Sequence, residues 1–266
     1  MTDKVREAID KSLDASGIAI LPPMDALDCL SLLKLTGYDA RCVMLDPWYN
    51  KGVGGIDPNY DEFIAKLLES AGECGDHSYL WGFPEILAPL LACVPNGERL
   101  VAWLTWYYKN NPSVIRGWRS AQMACLHIAH EGATLYPEHF LNEKQLEKQR
   151  QGKLRYMPGP PSVLEGHVGE DDDFLPPADV IESPLIIGFV GKKEQTGHPA
   201  QKPTKVYEPL IRMVTKPGDL VIDPLAGSGT TGAVTVATGR LAILSDASEE
   251  YTQIMESRLG VSRIAL

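Results

Sequence analysis

The stretch "LVIDPLAGSGTTGAV", residues 220–234, leaves a chain few options. Four residues suited to a buried strand end in Asp-Pro, and proline cannot extend a central ladder. Glycines at 227, 229 and 232 then allow a tight turn and close backbone approach. The run "GTTGAVTVATG" resumes as a helix, "RLAILSD" as a strand and "SEEYTQIMESRL" as another helix, a complete βαβα unit. Ahead of it, "KPTKVYEPLIRMVT" reads as a helix stopped by "KPGD". The first half has the same rhythm: strand "ARCVML", helix "YDEFIAKLLESA", strand "SYLWGF", helix "PEILAPLLACV" and strand "ERLVAWLTW". Such alternation predicts an α/β fold, a mostly parallel, doubly wound, Rossmann-like sheet with helices on both faces.

The rhythm breaks between 107 and 195. "QMACLHIAH" suits a strand, "EHFLNEKQLEKQRQGKL" a polar helix, and "MPGPPSVLEGHVGEDDDFLPPADV" has the composition of a loop. We read 1–106 and 196–266 as two parts of one core, with 107–195 an inserted lobe. The net charge of −10 disfavours a polyanionic partner, yet Tyr107 to Met157 holds eight basic residues against four acids. Five cysteines without a C-x-x-C pair suggest neither a disulfide framework nor a zinc site. His127 and His130 lack ligand spacing and read as ordinary strand or loop residues; no metal is expected. No apolar run approaches the ~20 residues of a membrane span, and the N-terminal helix lacks a signal peptide's apolar centre, so an intracellular protein is expected.

Two loops carry candidate chemistry. In "DPLAGSGTTG" the bare N–H groups at the helix start suit a polar or anionic ligand, and Asp246, 23 residues past Asp223, is placed to bind a ribose diol. A Walker loop is excluded because no lysine precedes the threonines. The G-x-G-x-x-G spacing also fits a dinucleotide or a plain strand-to-helix turn. The second loop, "VMLDPWYN", opens the same way. At the carboxyl edge of one sheet, Asp46 and the Pro47 carbonyl would accept two hydrogen bonds from one exocyclic amine, with Tyr49 or Trp48 stacking on a base. The plainer alternative is that both rings cap the core and Asp46 begins a turn.

Together these loops resemble the permuted, β-group amino-methyltransferases of DNA, which carry D-P-P-Y-N first and D-P-F-A-G-S-G-T-T-G near the C-terminus. "GHPAQKPTKVYEPLIRMVTKPGDLVIDPLAGSGTTGAV" is similar to that family's cofactor block and "SDASEEY" continues it. "YYKNNPSVIRGWRSAQMACLHIAH" looks like the stretch after the catalytic loop, and "MDALDCLSLL" like the segment before it. The resemblance implies a methyltransferase fold whose inserted lobe recognises the target. It also implies S-adenosylmethionine as cofactor, DNA as substrate with its target base flipped out, and a homodimer in the cytoplasm of a bacterial or phage-infected cell. Asp46, Pro47, Trp48 and Tyr49 would form the catalytic loop. Asp223, Pro224, Ala226, Gly227, Ser228 and Gly229 would line the methionine end, with Thr230 and Thr231 starting the helix. Asp246 would bind ribose, and Asp25 or Asp28 would sit near adenine. His198, Gln201, Lys202 and Pro203 would close over the methionine end. Trp48 departs from the family, which usually has a second proline there. An Asp-Pro loop favours adenine N6 over cytosine N4. An inactive cofactor- or nucleic-acid-binding partner is the alternative of another class, and an NAD-binding oxidoreductase a weaker one.

Overall fold

The computed structural model describes residues 2–50, 55–115, 117–156, 173–174 and 177–265. Its elements are α1 (Thr2–Ser16), β1 (Ile18–Ile20), α2 (Ala26–Leu35), β2 (Ala40–Leu45), α3 (Tyr60–Gly72), β3 (Gly75–Gly82), α4 (Pro84–Leu90) and β4 (Glu98–Tyr107). There follow β5 (Val114–Ile115), β6 (Trp118–Arg119), β7 (Gln122–His130), α5 (Glu143–Arg150), β8 (Arg155–Tyr156), β9 (Asp173–Phe174) and β10 (Val180–Glu182). The chain closes with α6 (Thr204–Val214), β11 (Leu220–Asp223), α7 (Thr230–Ala237), β12 (Leu241–Leu244) and α8 (Glu249–Leu259).

Eight strands form one sheet in the order β1-β12-β11-β2-β3-β7-β4-β10. Side-chain alternation divides its core into two faces. Val43, Leu45, Leu80 and Ile222 face one side, where Ile9, Leu30, Leu33, Ile64 and Leu68 of α1, α2 and α3 cover them. Cys42, Met44, Tyr79, Trp81 and Val221 face the other, against Tyr207, Leu210 and Val214 of α6 and Val234 of α7. Each such aliphatic side chain contributes about 1.5–3 kcal/mol by leaving water. The five cysteines are free, and all but Cys93 are buried.

Strands β2 and β11 are parallel neighbours, with Val221 opposite Cys42 and Ile222 opposite Val43. From β2 the chain crosses to β3 on one side, and from β11 to β12 on the other. Their carboxyl ends therefore meet where the winding reverses, the place at which open α/β sheets bind ligands.

The segment 107–195 is not set apart throughout its length. The strand expected at "QMACLHIAH" is β7, which lies inside the core sheet and runs antiparallel to both β3 and β4; β10 also joins this sheet, beside β4. Residues 123–129 are all buried, and a strand covered on both faces needs ladder partners on both edges. Among the described residues, several pieces, the β8–β9 pair included, lie outside the sheet. The β5–β6 hairpin joins β4 to β7, and the helical turn Pro137–Phe140 leads to α5. That turn sits at the end of α6, where Tyr136 N donates to Met213 O. Helix α5 starts with a reciprocal Asn142–Gln145 cap. Most of the Pro-, Gly- and acid-rich stretch lies outside the described residues.

His127 and His130 both belong to β7. His127 stacks on Tyr79 at 4.4 Å and lies 3.1 Å from His77, and burial brings its pKa down to about 3. Among the described residues no helix is long and apolar enough to cross a membrane.

Candidate active site

Asp223 ends β11 with its carboxylate turned inward. It accepts from Thr231 Oγ1 at 2.5 Å and from Leu225 N at 3.1 Å, yet burial still pushes its pKa up to about 7. The glycine loop is pinned to the end of β12: Ala226 N donates to Ser245 O at 2.8 Å, and Gly227 N to Asp246 Oδ2 at 3.0 Å. Gly227 has φ +50°, and a Cβ there would stand 2.9 Å from His198 Nε2. At Gly232 a Cβ would meet Leu244 at 2.7 Å, so α7 lies hard against β12. Arg258 of α8 secures the turn from behind, donating to Ser228 O at 3.1 Å and Thr230 Oγ1 at 2.9 Å and pairing with Glu194 at 3.4 Å.

At the end of β2, Asp46 Oδ1 accepts from Tyr49 Oη at 2.8 Å, and Oδ2 from Lys202 Nζ at 2.5 Å. Lys202 Nζ also donates to Tyr49 Oη at 2.6 Å. The lysine side chain is 3% exposed and that of Asp46 16%, so this is a largely buried ion pair. The ammonium sits 5.3 Å from the Tyr49 ring centre and 5.6 Å from that of Trp81, a favourable place for a cation. Burial, then the Asp46 charge, holds the Tyr49 phenol protonated well above its ordinary range. Trp48 packs its ring on Tyr60 at 5.2 Å and Phe63 at 5.0 Å of α3, while Tyr60 Oη donates to Trp48 O at 2.7 Å. Asn50, at φ +50°, closes the loop by accepting from Asp57 N at 2.6 Å and donating to Asp57 O at 3.1 Å.

Both loops line one cleft of about 440 Å³. Of the expected residues it brings together Asp46, Pro47, Trp48, Tyr49, His198, Lys202, Ala226, Gly227, Ser228, Thr230 and Asp246. Asp223, Pro224, Gly229 and Thr231 stand outside this lining, and the Asp223–Thr231 bond supports it from beneath. Gln201 braces its own segment, accepting from Thr196 N at 2.9 Å and donating to Glu194 O at 2.6 Å; Pro203 precedes α6. Asp25 and Asp28 are exposed and do not line the cleft: Asp25 caps α2 through Leu27 N at 2.8 Å. Met24 N, next to it, donates to Asp246 O at 3.2 Å, which puts that turn at the rim.

Pro199, Ala200, Tyr207, Leu225 and Tyr251 complete the lining without having been anticipated. Pro199 and Ala200 lie inside the quoted cofactor block, and Tyr251 ends the quoted "SDASEEY". Tyr207 follows Val206 on the buried stripe of α6, which marks a core residue more readily than a cleft wall. His198 meets Tyr251 edge-on at 4.2 Å, and its Nδ1 accepts from Ala200 N at 3.2 Å. Burial lowers its pKa, so the neutral ring carries its proton on Nε2, toward Gly227.

Residues 83–257 match the family model described as DNA methylase, N6_N4_Mtase. The chain belongs to this family. The matched range holds the glycine loop and Lys202; the Asp46 loop of this DNA-methylase family member precedes it. Among curated relatives, the DNA adenine methyltransferase YhdJ of Escherichia coli (strain K12) is 44% identical over 86 residues, 32% of this chain and 29% of that protein. The type II methyltransferase M2.DpnII of Streptococcus pneumoniae is 48% identical over 62 residues, 23% of each chain. The aligned stretches thus span under a third of these relatives' length. The structure of the M1.HpyAVI–SAM complex superposes with a TM-score of 0.64 at 18% identity, covering 92% of this chain and 100% of that one. The PvuII cytosine-N4-specific DNA methyltransferase gives 0.60 at 16% identity, covering 91% and 88%. The fold is accordingly the Rossmann-like methyltransferase fold.

Proposed function

We propose that this chain transfers a methyl group from S-adenosylmethionine to the exocyclic N6 of adenine in DNA. The observation that carries this is the meeting of two Asp-Pro loops, remote in sequence, on one cleft. Family membership and the adenine methyltransferase among its relatives support it.

The cleft's donors and acceptors fit S-adenosylmethionine. Gly227 leaves backbone without a side chain beside His198, where a Cβ would have no room. Asp246 spends one bond per oxygen on Gly227 N and Ser248 N, and a carboxylate offers about four acceptor sites, enough to bind a ribose diol as well. Bound there, the cofactor would supply an electrophilic sulfonium methyl.

The chain's own residues prepare the nucleophile. An adenine amine is weak because its lone pair is delocalised into the ring. Asp46 and the Pro47 carbonyl accept its two N–H bonds, localise the lone pair and stabilise the positive charge that grows on nitrogen. Lys202 and Tyr49 each hold one Asp46 oxygen, so the carboxylate is oriented and keeps acceptor capacity for the incoming amine. The Tyr49 ring, fixed edge-on against Phe83 at 5.1 Å, grips the base, which must leave the duplex to reach the cleft.

Incubation of unmodified DNA with deuterium-labelled cofactor, followed by nucleoside mass spectrometry, tests this. Labelled N6-methyladenine is expected from wild type, with at least about a hundredfold less from Asp46→Asn. Label on cytosine N4 moves the target base; equal label from both proteins removes Asp46 from the chemistry. Sedimentation of the free protein tests the expected homodimer.

A further inference from the structure

The large aromatic side chains Tyr79, Trp81 and Trp106 of the main sheet are buried, whereas Trp118, on the hairpin outside that sheet, is 82% exposed. It lies on β6 opposite Ile115, in a two-stranded hairpin whose Val114 is 66% exposed. The hairpin base is firmly held: Ser120 N donates to Ser113 O at 2.9 Å, Tyr108 N to Ala121 O at 2.9 Å, and Arg119 to Lys109 O at 3.2 Å. Its location follows from β7 running backwards. Tyr107 at the end of β4 pairs with Gln122 at the start of β7, and Gly82 at the end of β3 pairs with Ala124. The hairpin therefore projects from the same sheet edge as the Asp46 loop. Trp118 and Arg119 line a second cavity with Phe83, whose ring packs on Tyr49 of the cleft. The connection 108–121 contains Lys109, Arg116 and Arg119 and no acid, within a chain of net charge −10, although Lys109 pairs with Glu182 of β10 at 2.6 Å.

We propose that this hairpin is a DNA wedge: Trp118 enters the base stack of the duplex beside the target and occupies the space that the extruded base vacates. The proposal rests on the reading of the cleft as a DNA methyltransferase site. A rigid aromatic edge can replace a lost base on the stack because every base presents a π-face, and nearby cations hold the flanking phosphates. A wedge of this kind lowers the cost of taking a base out of a duplex. It has little to offer where the base is already unpaired.

The experiment compares initial rates of labelled methyl incorporation into unmethylated genomic DNA, used as duplex and after heat denaturation. Trp118→Ala should lower the duplex rate about tenfold or more and the denatured-strand rate less than about twofold, with Trp118→Phe recovering most of the duplex rate. An unchanged duplex rate overturns the wedge, as does an equal loss on both substrates. A change of oligomeric state in Trp118→Ala also overturns it, since the side chain then serves a second copy of the chain. Wild type that methylates neither DNA sinks the underlying function and the wedge together, whereas a duplex-competent Trp118→Ala sinks the wedge alone.

Discussion

Lys202 and Asp46 lie 156 positions apart and share one buried contact. Truncating one partner of such a pair leaves the other's charge stranded, at a cost of about 3 kcal/mol. Asp46→Ala should therefore lower the melting temperature as well as the activity. The double variant Asp46→Ala/Lys202→Met should recover most of the stability and none of the activity; a double variant no more stable than Asp46→Ala refutes the coupling. Asp223 offers a pH test. Its pKa is raised from 3.8 to about 7 in the fold, so its stabilising contribution is complete below about pH 4 and is lost as pH rises through 7. Asp223→Asn, which removes the titration, should flatten the melting profile between those values; an unaltered slope in denaturant titrations contradicts the assignment.

Among the elements, the loop after β2 lines the cleft and is anchored through Trp48 on α3. Because Trp48 rests on Tyr60 and Phe63, replacing it with the family's usual proline should cost about 1 kcal/mol of aromatic packing and leave methyl transfer within a few-fold of wild type. A collapse of kcat in Trp48→Pro would place the ring in the chemistry instead. Gly227→Ala combines a positive φ with a clash at His198 and should weaken cofactor binding by about 1–3 kcal/mol, readable by calorimetry. Much of this scale was legible beforehand. Short, near-continuous apolar runs marked β2, β3, β11 and β12, and glycine spacing marked the turn into α7. The placement of β7 was not legible, since a strand buried on both faces carries no trace of whether its neighbours run with or against it. Nor did local sequence signal that Lys202 would meet Asp46, a contact created by the adjacency of β2 and β11. Asp25 shows the reverse limit: an acid before a helix is a ready N-cap, and that local bond is the one it makes.

Across the whole molecule, acids outnumber Lys and Arg by 35 to 25. The hairpin connection holds Lys109, Arg116 and Arg119, and Lys109 already pairs with Glu182 at 2.6 Å, so the log–log dependence of DNA affinity on salt should have a slope of about −2. A slope near zero would rule out backbone contact there. Binding strong enough for turnover then depends on stacking as well as on charge. One further consequence comes from the reversed strand. Parallel neighbours must be joined by crossovers whose lengths are fixed by the layers they span, whereas β4 and β7 leave and re-enter the sheet at the same edge. Their link can lengthen, shorten or be exchanged with no effect on winding, so grafting an unrelated turn between Val114 and Arg119, which removes Trp118, should leave the fold and the cofactor cleft intact while duplex methylation falls as far as in Trp118→Ala.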